Sequence, residues 1–198
     1  MDGYKKEKKN LWRKNYYSDT RYSVIKWLEK ELPKIEGDVL NVAAGGWPVP
    51  KMLLTNPKLG KYFTFDKKLY GDSKNPVNKY GDAHSLPPEW NNRWDCVMMN
   101  QALECMKNPF TVTREIYRVL KPGGVALIDT PFNVSWFGYG AYPDTLKKKF
   151  PVEDFWRITP QGLEMLLIEA GFKKEKITIE TSGPNKWDCH CVMVKAIK

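Results

Sequence analysis

Two kinds of group in this sequence could do chemistry: a turn of small residues able to seat a ligand, and side chains able to hold a metal or move a proton. The turn lies in residues 38–50, DVLNVAAGGWPVP. An apolar run from Val39 to Ala43 gives way to Ala44, Gly45 and Gly46, then to proline-punctuated helical material. The run predicts a buried parallel strand. The small residues allow a sharp bend and a ligand lying against the backbone. The helix start behind them offers N–H groups with no partners of their own. Together these make a nucleotide cradle at the carboxyl edge of a sheet. The glycines are not spaced as G-x-G-x-x-G, so a buried strand with a plain tight turn accounts for this stretch equally well.

The chain has only two histidines, His84 and His190. His190 stands between Cys189 and Cys191, and strand alternation there predicts both sulfurs on one face and the imidazole on the other. That is not a zinc spacing, and no metal is expected. Four cysteines in 198 residues are too few and too scattered for a disulfide framework, which favours a reducing, cytoplasmic setting.

The elements that must position these groups follow from length and pattern. A chain of 198 residues is about one domain by the length prior: a basic arm over 1–17 and a single domain over 18–198. The net charge is +9, and residues 1–14 hold six bases and two acids. Such a balance favours anionic partners, namely nucleic acid, acidic or phosphorylated glycans, or a membrane surface; for the arm alone, a solvated tail is the plainer reading. No window approaches the ~20 apolar residues of a membrane span, and the charged N-terminus is not a secretory signal.

Along the chain, Val24, Trp27, Leu28 and Leu32 share one face of an entry helix that Pro33 ends. Strands are predicted over 38–44, 62–66 (ending on Asp66), near Tyr80, over 94–100 and over 125–129. A short helix is expected over 49–56, and none over 67–79, where Gly71, Pro76 and Asn78 interrupt. Asn108 caps and Pro109 opens a helix that residues 121–124, KPGG, terminate; Thr159 and Pro160 start another that Gly171 closes. Strands over 177–181 and 189–197 pair as a hairpin. Alternating strands and helices predict an α/β fold: a doubly wound, Rossmann-like sheet of seven strands, mostly parallel with a C-terminal antiparallel hairpin, helices on both faces. The ligand belongs at the carboxyl ends of strands one, two and four.

Four segments then point to a family. They are WDCVMMNQALECMKNPFTVTREIYRVLKPGGVALIDTP over 94–131, GDAHSLP over 81–87, FWRITP over 155–160 and EAGF over 169–172. In this order the chain resembles a class I S-adenosylmethionine-dependent methyltransferase of the type 11 group. The resemblance implies a cofactor site built from Asn41, Ala43, Ala44, Gly45, Gly46, Asp66, Lys67, Asp82, Ala83, His84, Asn100, Gln101 and Ala102. Asp66 would take the two ribose hydroxyls, Asp82 the adenine amino group and the Ala83 N–H a ring nitrogen, with Leu86 and Ala102 covering the adenine faces. His84 reads as structural.

The first loop departs from the family. Asn41 stands for the usual Asp, Ala43 for the first Gly and Trp47 for a later one, and Cys105 replaces a frequent His. Ala43 fits only if its φ is negative.

The resemblance implies S-adenosylmethionine as cofactor and methyl transfer to an oxygen or nitrogen of a small-molecule or glycan acceptor. The acceptor is unidentified, and the chain's charge leaves an anionic one open. Acceptor contacts are expected from the long connection after strand five: Asn133, Trp136, Tyr139, Tyr142, Trp156 and Arg157, with Asp144 and Asp154. A satellite core under a long loop is the alternative for its aromatics. No catalytic base is identified. Tyr16, Tyr17 and Arg21 are candidates for the cofactor carboxylate. Two other functions stay open: a nucleic-acid methyltransferase acting on an RNA ribose or a base, suggested by the basic arm, and a non-catalytic binding or scaffold protein, suggested by Asn41, Ala43 and Cys105.

Overall fold

The computed structural model describes residues 19–44, 49, 54–67, 77–134, 153–183 and 189–198. Expectations for the basic arm, Tyr16, Tyr17, Gly45, Gly46, Trp47, residues 50–53 of the helix over 49–56, Trp136, Tyr139, Tyr142 and Asp144 lie outside these residues.

Helix α1 (Asp19–Glu31) runs into a tight turn, Leu32–Lys34, where Pro33 stops it. Val24, Trp27, Leu28 and Leu32 are buried on one face, as their spacing requires. Strands β1 (Gly37–Val42), β2 (Leu59–Asp66), β3 (Lys79–Tyr80), β4 (Trp94–Asn100) and β5 (Leu120–Pro131) are mutually parallel, and β6 (Ile177–Ser182) and β7 (Cys191–Ile197) complete one sheet in the order β3-β2-β1-β4-β5-β7-β6. Strand β7 runs antiparallel to both of its neighbours, β5 and β6.

Two apolar clusters form the core. Val24, Trp27 and Leu28 of α1 meet Val39, Met98 and Leu127 on one face of the sheet. On the other face lie helices α2 (Pro109–Val119) and α3 (Pro160–Ala170), whose Val112, Ile116, Leu163 and Leu167 meet Leu40, Val97 and Ile128. Both helices begin as the sequence indicates. Asn108 accepts the Thr111 N–H at 3.1 Å and Thr159 accepts the Gly162 N–H at 3.0 Å. Gly171 ends α3 at φ 115°, where glycine alone is unstrained.

Two boundaries differ from expectation. Residues 121–124 end α2 but are themselves extended and belong to β5. A register shift between Trp94 and Cys96 absorbs the extra length, and Lys121 Nζ is held by both Asp95 oxygens at 2.8 Å. Strand β7 begins at Cys191 because the chain bends at His190. The expected alternation through 189–191 therefore fails: Cys189 packs in the α2/α3 cluster and Cys191 in the α1 cluster. Among the described residues no group of His, Cys, Asp or Glu is arranged to hold a metal, and no helix is long and apolar enough to cross a membrane.

Candidate active site

Strand order places the site. The chain moves outward from β1 to β2 and β3, then returns to the other side of β1 with β4. The crevice between diverging connections lies at the carboxyl ends of β1 and β4. Register aligns those ends: Val42 pairs with Phe65, Asp66 with Tyr80, Asn41 with Met98, and Asn100 with Asp129. The described candidates Asn41, Ala43, Ala44, Asp66, Lys67, Asp82, Ala83, His84, Asn100, Gln101 and Ala102 thus follow one edge of the sheet.

On the β1 side, Asn41 is buried and its Nδ2 donates to the Tyr62 hydroxyl at 2.7 Å, while its Oδ1 is buried without a hydrogen-bond partner among the described residues. Ala43 follows at φ +58°, so the expectation of a negative φ is corrected. The backbone takes the left-handed turn that glycine prefers, and the methyl group is carried there at a cost. The turn is held by the Ala44 N–H, which donates to the Phe65 carbonyl at 3.2 Å.

At the ends of β2 and β3 the acids are organised by neighbours. Asp66 Oδ1 accepts the Lys67 N–H at 2.6 Å, and the Asp66 carbonyl accepts the Gly81 N–H at 2.9 Å. A Cβ on Gly81 would lie 2.5 Å from the Phe65 ring, so glycine is required for this approach. Lys67 Nζ reaches Asp82 Oδ2 at 2.9 Å. Asp82 Oδ1 accepts the His84 backbone N–H at 2.9 Å and meets His84 Nδ1 at 2.6 Å. Partial burial works against ionisation of Asp82, but the two His84 contacts and Lys67 outweigh it and hold the carboxyl below its ordinary range. His84 Nε2 accepts the Asn108 N–H at 3.2 Å. That leaves Nδ1 to donate to Asp82 and makes His84 a brace between the Asp82 turn and α2. Ala83, Leu86 and Ala102 are buried in the α2/α3 cluster.

Beyond β4, Asn100 and Gln101 are spoken for by a residue that sequence reasoning did not single out. Asp129, wholly buried near the end of β5, accepts Asn100 Nδ2, the Gln101 backbone N–H at 3.2 Å and Gln101 Nε2 at 2.6 Å. Gln101 sits at φ +49°. Burial pushes the Asp129 carboxyl up to about 6 against the pull of these donors. The available signal was an acid in an otherwise apolar strand, on the same phase as buried Leu127.

Glu104 is also wholly buried and is held nearby: Thr130 Oγ1 donates to its Oε2 at 3.3 Å, and its Oε1 has no partner among the described residues. Burial first, then the charges of Asp129 and Asp154, push its carboxyl up to about 8. The Glu104 carbonyl accepts the Phe155 and Trp156 N–H groups at 2.9 and 3.2 Å, which ties residues 155–156 to the post-β4 turn.

The described acceptor candidates are less concentrated. Trp156 is exposed and its indole N–H donates to the Met106 carbonyl at 2.8 Å. Arg157 is paired through both terminal nitrogens with Asp154, whose side chain is buried. Asn133 is exposed, and its carbonyl lies 3.3 Å from His190 Nδ1.

This set fits an adenosine-bearing ligand. It joins a turned backbone at Ala43–Ala44, acids at the ends of β2 and β3, and buried oxygens lacking donors at Asn41 and Asn100. Residues 63–128 match the family model described as a methyltransferase domain. No curated protein sequence matches the chain. Among solved structures, an Archaeoglobus fulgidus SAM-dependent methyltransferase aligns with TM-score 0.62 at 15% identity, covering 90% of this chain and 94% of its own. A Mesorhizobium loti S-adenosylmethionine-dependent methyltransferase aligns with TM-score 0.60 at 15% identity, over 87% and 96%. Human N-acetylserotonin methyltransferase, in complex with SAM, aligns with TM-score 0.57 at 19% identity, over 89% of this chain and 51% of its own. Fold, site edge and family match point the same way: residues 63–128 are similar to a methyltransferase domain, and the chain shares its fold with S-adenosylmethionine-dependent methyltransferases.

Proposed function

We propose that this protein moves a methyl group to an oxygen or nitrogen of a small-molecule or glycan acceptor by in-line displacement. S-adenosylmethionine supplies the methyl already activated on a positive sulfur, so the protein's task is alignment and exclusion of water. Asp66 accepts the ribose hydroxyls, Asp82 and the Ala83 N–H meet the adenine edge, and the backbone at Ala43, Ala44, Gly45 and Gly46 bends around the ligand. Asn100, Gln101 and Ala102 line the edge from which the methyl leaves. The observation that carries this reading is the shared register of the ends of β1, β2, β4 and β5 around the point where strand order reverses. Asn133, Trp136, Tyr139, Tyr142, Trp156 and Arg157 form the acceptor side.

Residues 1–17 act as a basic arm on a domain over 18–198, in a reducing, cytoplasmic setting in keeping with four free cysteines. The charge of that arm favours, as a second reading, an RNA ribose or base as acceptor. Calorimetry with S-adenosylmethionine and S-adenosylhomocysteine tests the first step. Saturable binding is expected; no heat at millimolar ligand would leave a scaffold protein. Salt-sensitive RNA binding lost on deleting residues 1–14 would move the acceptor to nucleic acid.

A further inference from the structure

Three oxygens along the edge described above are buried without a hydrogen-bond partner among the described residues: Asn41 Oδ1, Asn100 Oδ1 and Glu104 Oε1. The two amide oxygens are acceptors, and Glu104 Oε1 becomes one when its carboxyl ionises. A buried polar atom left unpaired is costly, and such a cost is tolerated where a ligand relieves it. Asn41 lies beside the Ala43 turn and belongs to the cofactor half. Asn100 and Glu104 lie on the far side of β4. There the amide of Asn100 is oriented by donating Nδ2 to Asp129, which leaves its oxygen facing elsewhere.

Charge at this place runs opposite to the chain's total of +9. Among the described residues, the titratable and charged groups acting on Glu104 or acted on by it are Asp129, Asp154, Cys105, Cys191 and Arg157. The single cation among them, Arg157, is already paired with Asp154. Two wholly buried carboxyl groups, Asp129 and Glu104, lie close together, and among the described residues their side-chain donors are the neutral groups of Asn100, Gln101 and Thr130.

We propose that Glu104, Asp129 and Asn100 form a subsite for an amine, bound as its ammonium, carried by the methyl acceptor. The proposal rests on the methyltransferase reading and narrows its acceptor class. An ammonium offers several donors to Asn100 Oδ1 and, as the Glu104 carboxyl ionises, to its Oε1, and its charge favours that ionisation. Since burial keeps a proton on Glu104 near neutral pH, binding an ammonium there expels that proton to solvent.

The test uses the full chain saturated with S-adenosylhomocysteine and matched triplets of probes: benzylamine, benzyl alcohol and benzoate, with their cyclohexyl counterparts. Calorimetry is run in buffers of different ionisation enthalpy. The amines are expected to bind at least about tenfold more tightly than their partners and to release a proton. Glu104→Gln should remove both the preference and the proton release, with S-adenosylhomocysteine affinity kept within about twofold; Asp129→Asn is the second variant should the first misfold. Equal affinities across each triplet, or no amine binding, overturn the proposal. So does amine binding confined to the cofactor-free chain, which would assign the oxygens to the cofactor's own ammonium. Failure of S-adenosylhomocysteine to bind is a separate result, seen before any probe is added, and overturns the methyltransferase reading itself.

Discussion

The Asp129 carboxylate accepts the side-chain amide of Gln101 at 2.6 Å and its backbone N–H at 3.2 Å, and so holds a non-glycine residue at φ +49° on the ligand edge of the sheet. One buried acid on β5 thereby sets the path of the chain leaving β4. Strained backbone of this kind persists only where the surroundings over-determine it.

Asp129→Ala leaves the Gln101 and Asn100 donors unsatisfied in the interior. The variant is expected to lose about 2–4 kcal/mol of stability. Asp129→Asn keeps an acceptor oxygen and should lose less. Urea unfolding of the two variants beside the wild type measures the difference, and equal losses would mean that packing, not these hydrogen bonds, sets the cost.

Ala43 carries its methyl group at φ +58°. Ala43→Gly is expected to stabilise the chain by about 1 kcal/mol, because relief of the left-handed strain exceeds the extra freedom of glycine in the unfolded state. Ala43→Val should destabilise by more than that in the other direction. Thermal unfolding reads both, and a destabilised glycine variant would place the methyl group in a packing role.

Asp66→Ala removes the carboxylate expected to take both ribose hydroxyls, each bond worth about 1.5–3 kcal/mol. Affinity for S-adenosylhomocysteine should fall at least about a hundredfold. His190→Ala should leave it nearly unchanged, since the ring rests against the Asn133 carbonyl. Isothermal titration decides, and an unaltered Asp66 variant would mean that the ribose lies elsewhere.

Glu104 holds its proton up to about 8 against an ordinary 4.5, chiefly through burial, with Asp129 and Asp154 adding to it. The native state therefore binds a proton that the unfolded state has released, and stability falls as pH rises from about 4.5 to about 8. Between about pH 5 and 8 the fall from this group is on the order of 3 kcal/mol. Asp129, held up to about 6, contributes a fall of the same sign below that pH. Glu104→Gln should flatten the upper part of the profile and gain on the wild type toward pH 8. Urea midpoints across the range test it; parallel profiles would show that Glu104 is ionised in the folded chain.

What the sequence determined is what local chemistry controls. The inward face of α1 follows from the spacing of Val24, Trp27 and Leu28, the helix starts from Asn108–Pro109 and Thr159–Pro160, and the stop of α3 from Gly171. Apolar runs alternating with these helices implied a doubly wound sheet, and hence a ligand edge with Asn41, Asp66 and Asn100 along it. Tertiary structure decided what depends on residues far apart in the chain. The φ of Ala43 is set by the turn whose next N–H bonds Phe65, not by the residue's own preference. The start of β5 at Leu120 depends on pairing with Trp94, and the bend at His190 separates two sulfurs that alternation would have put together. Above all, the joining of Asp129 to Asn100 and Gln101, and of Glu104 to Thr130, needs β4 and β5 side by side. Burial of two carboxyl groups is a property of that assembled edge, because only neighbours from other strands can strip away their water.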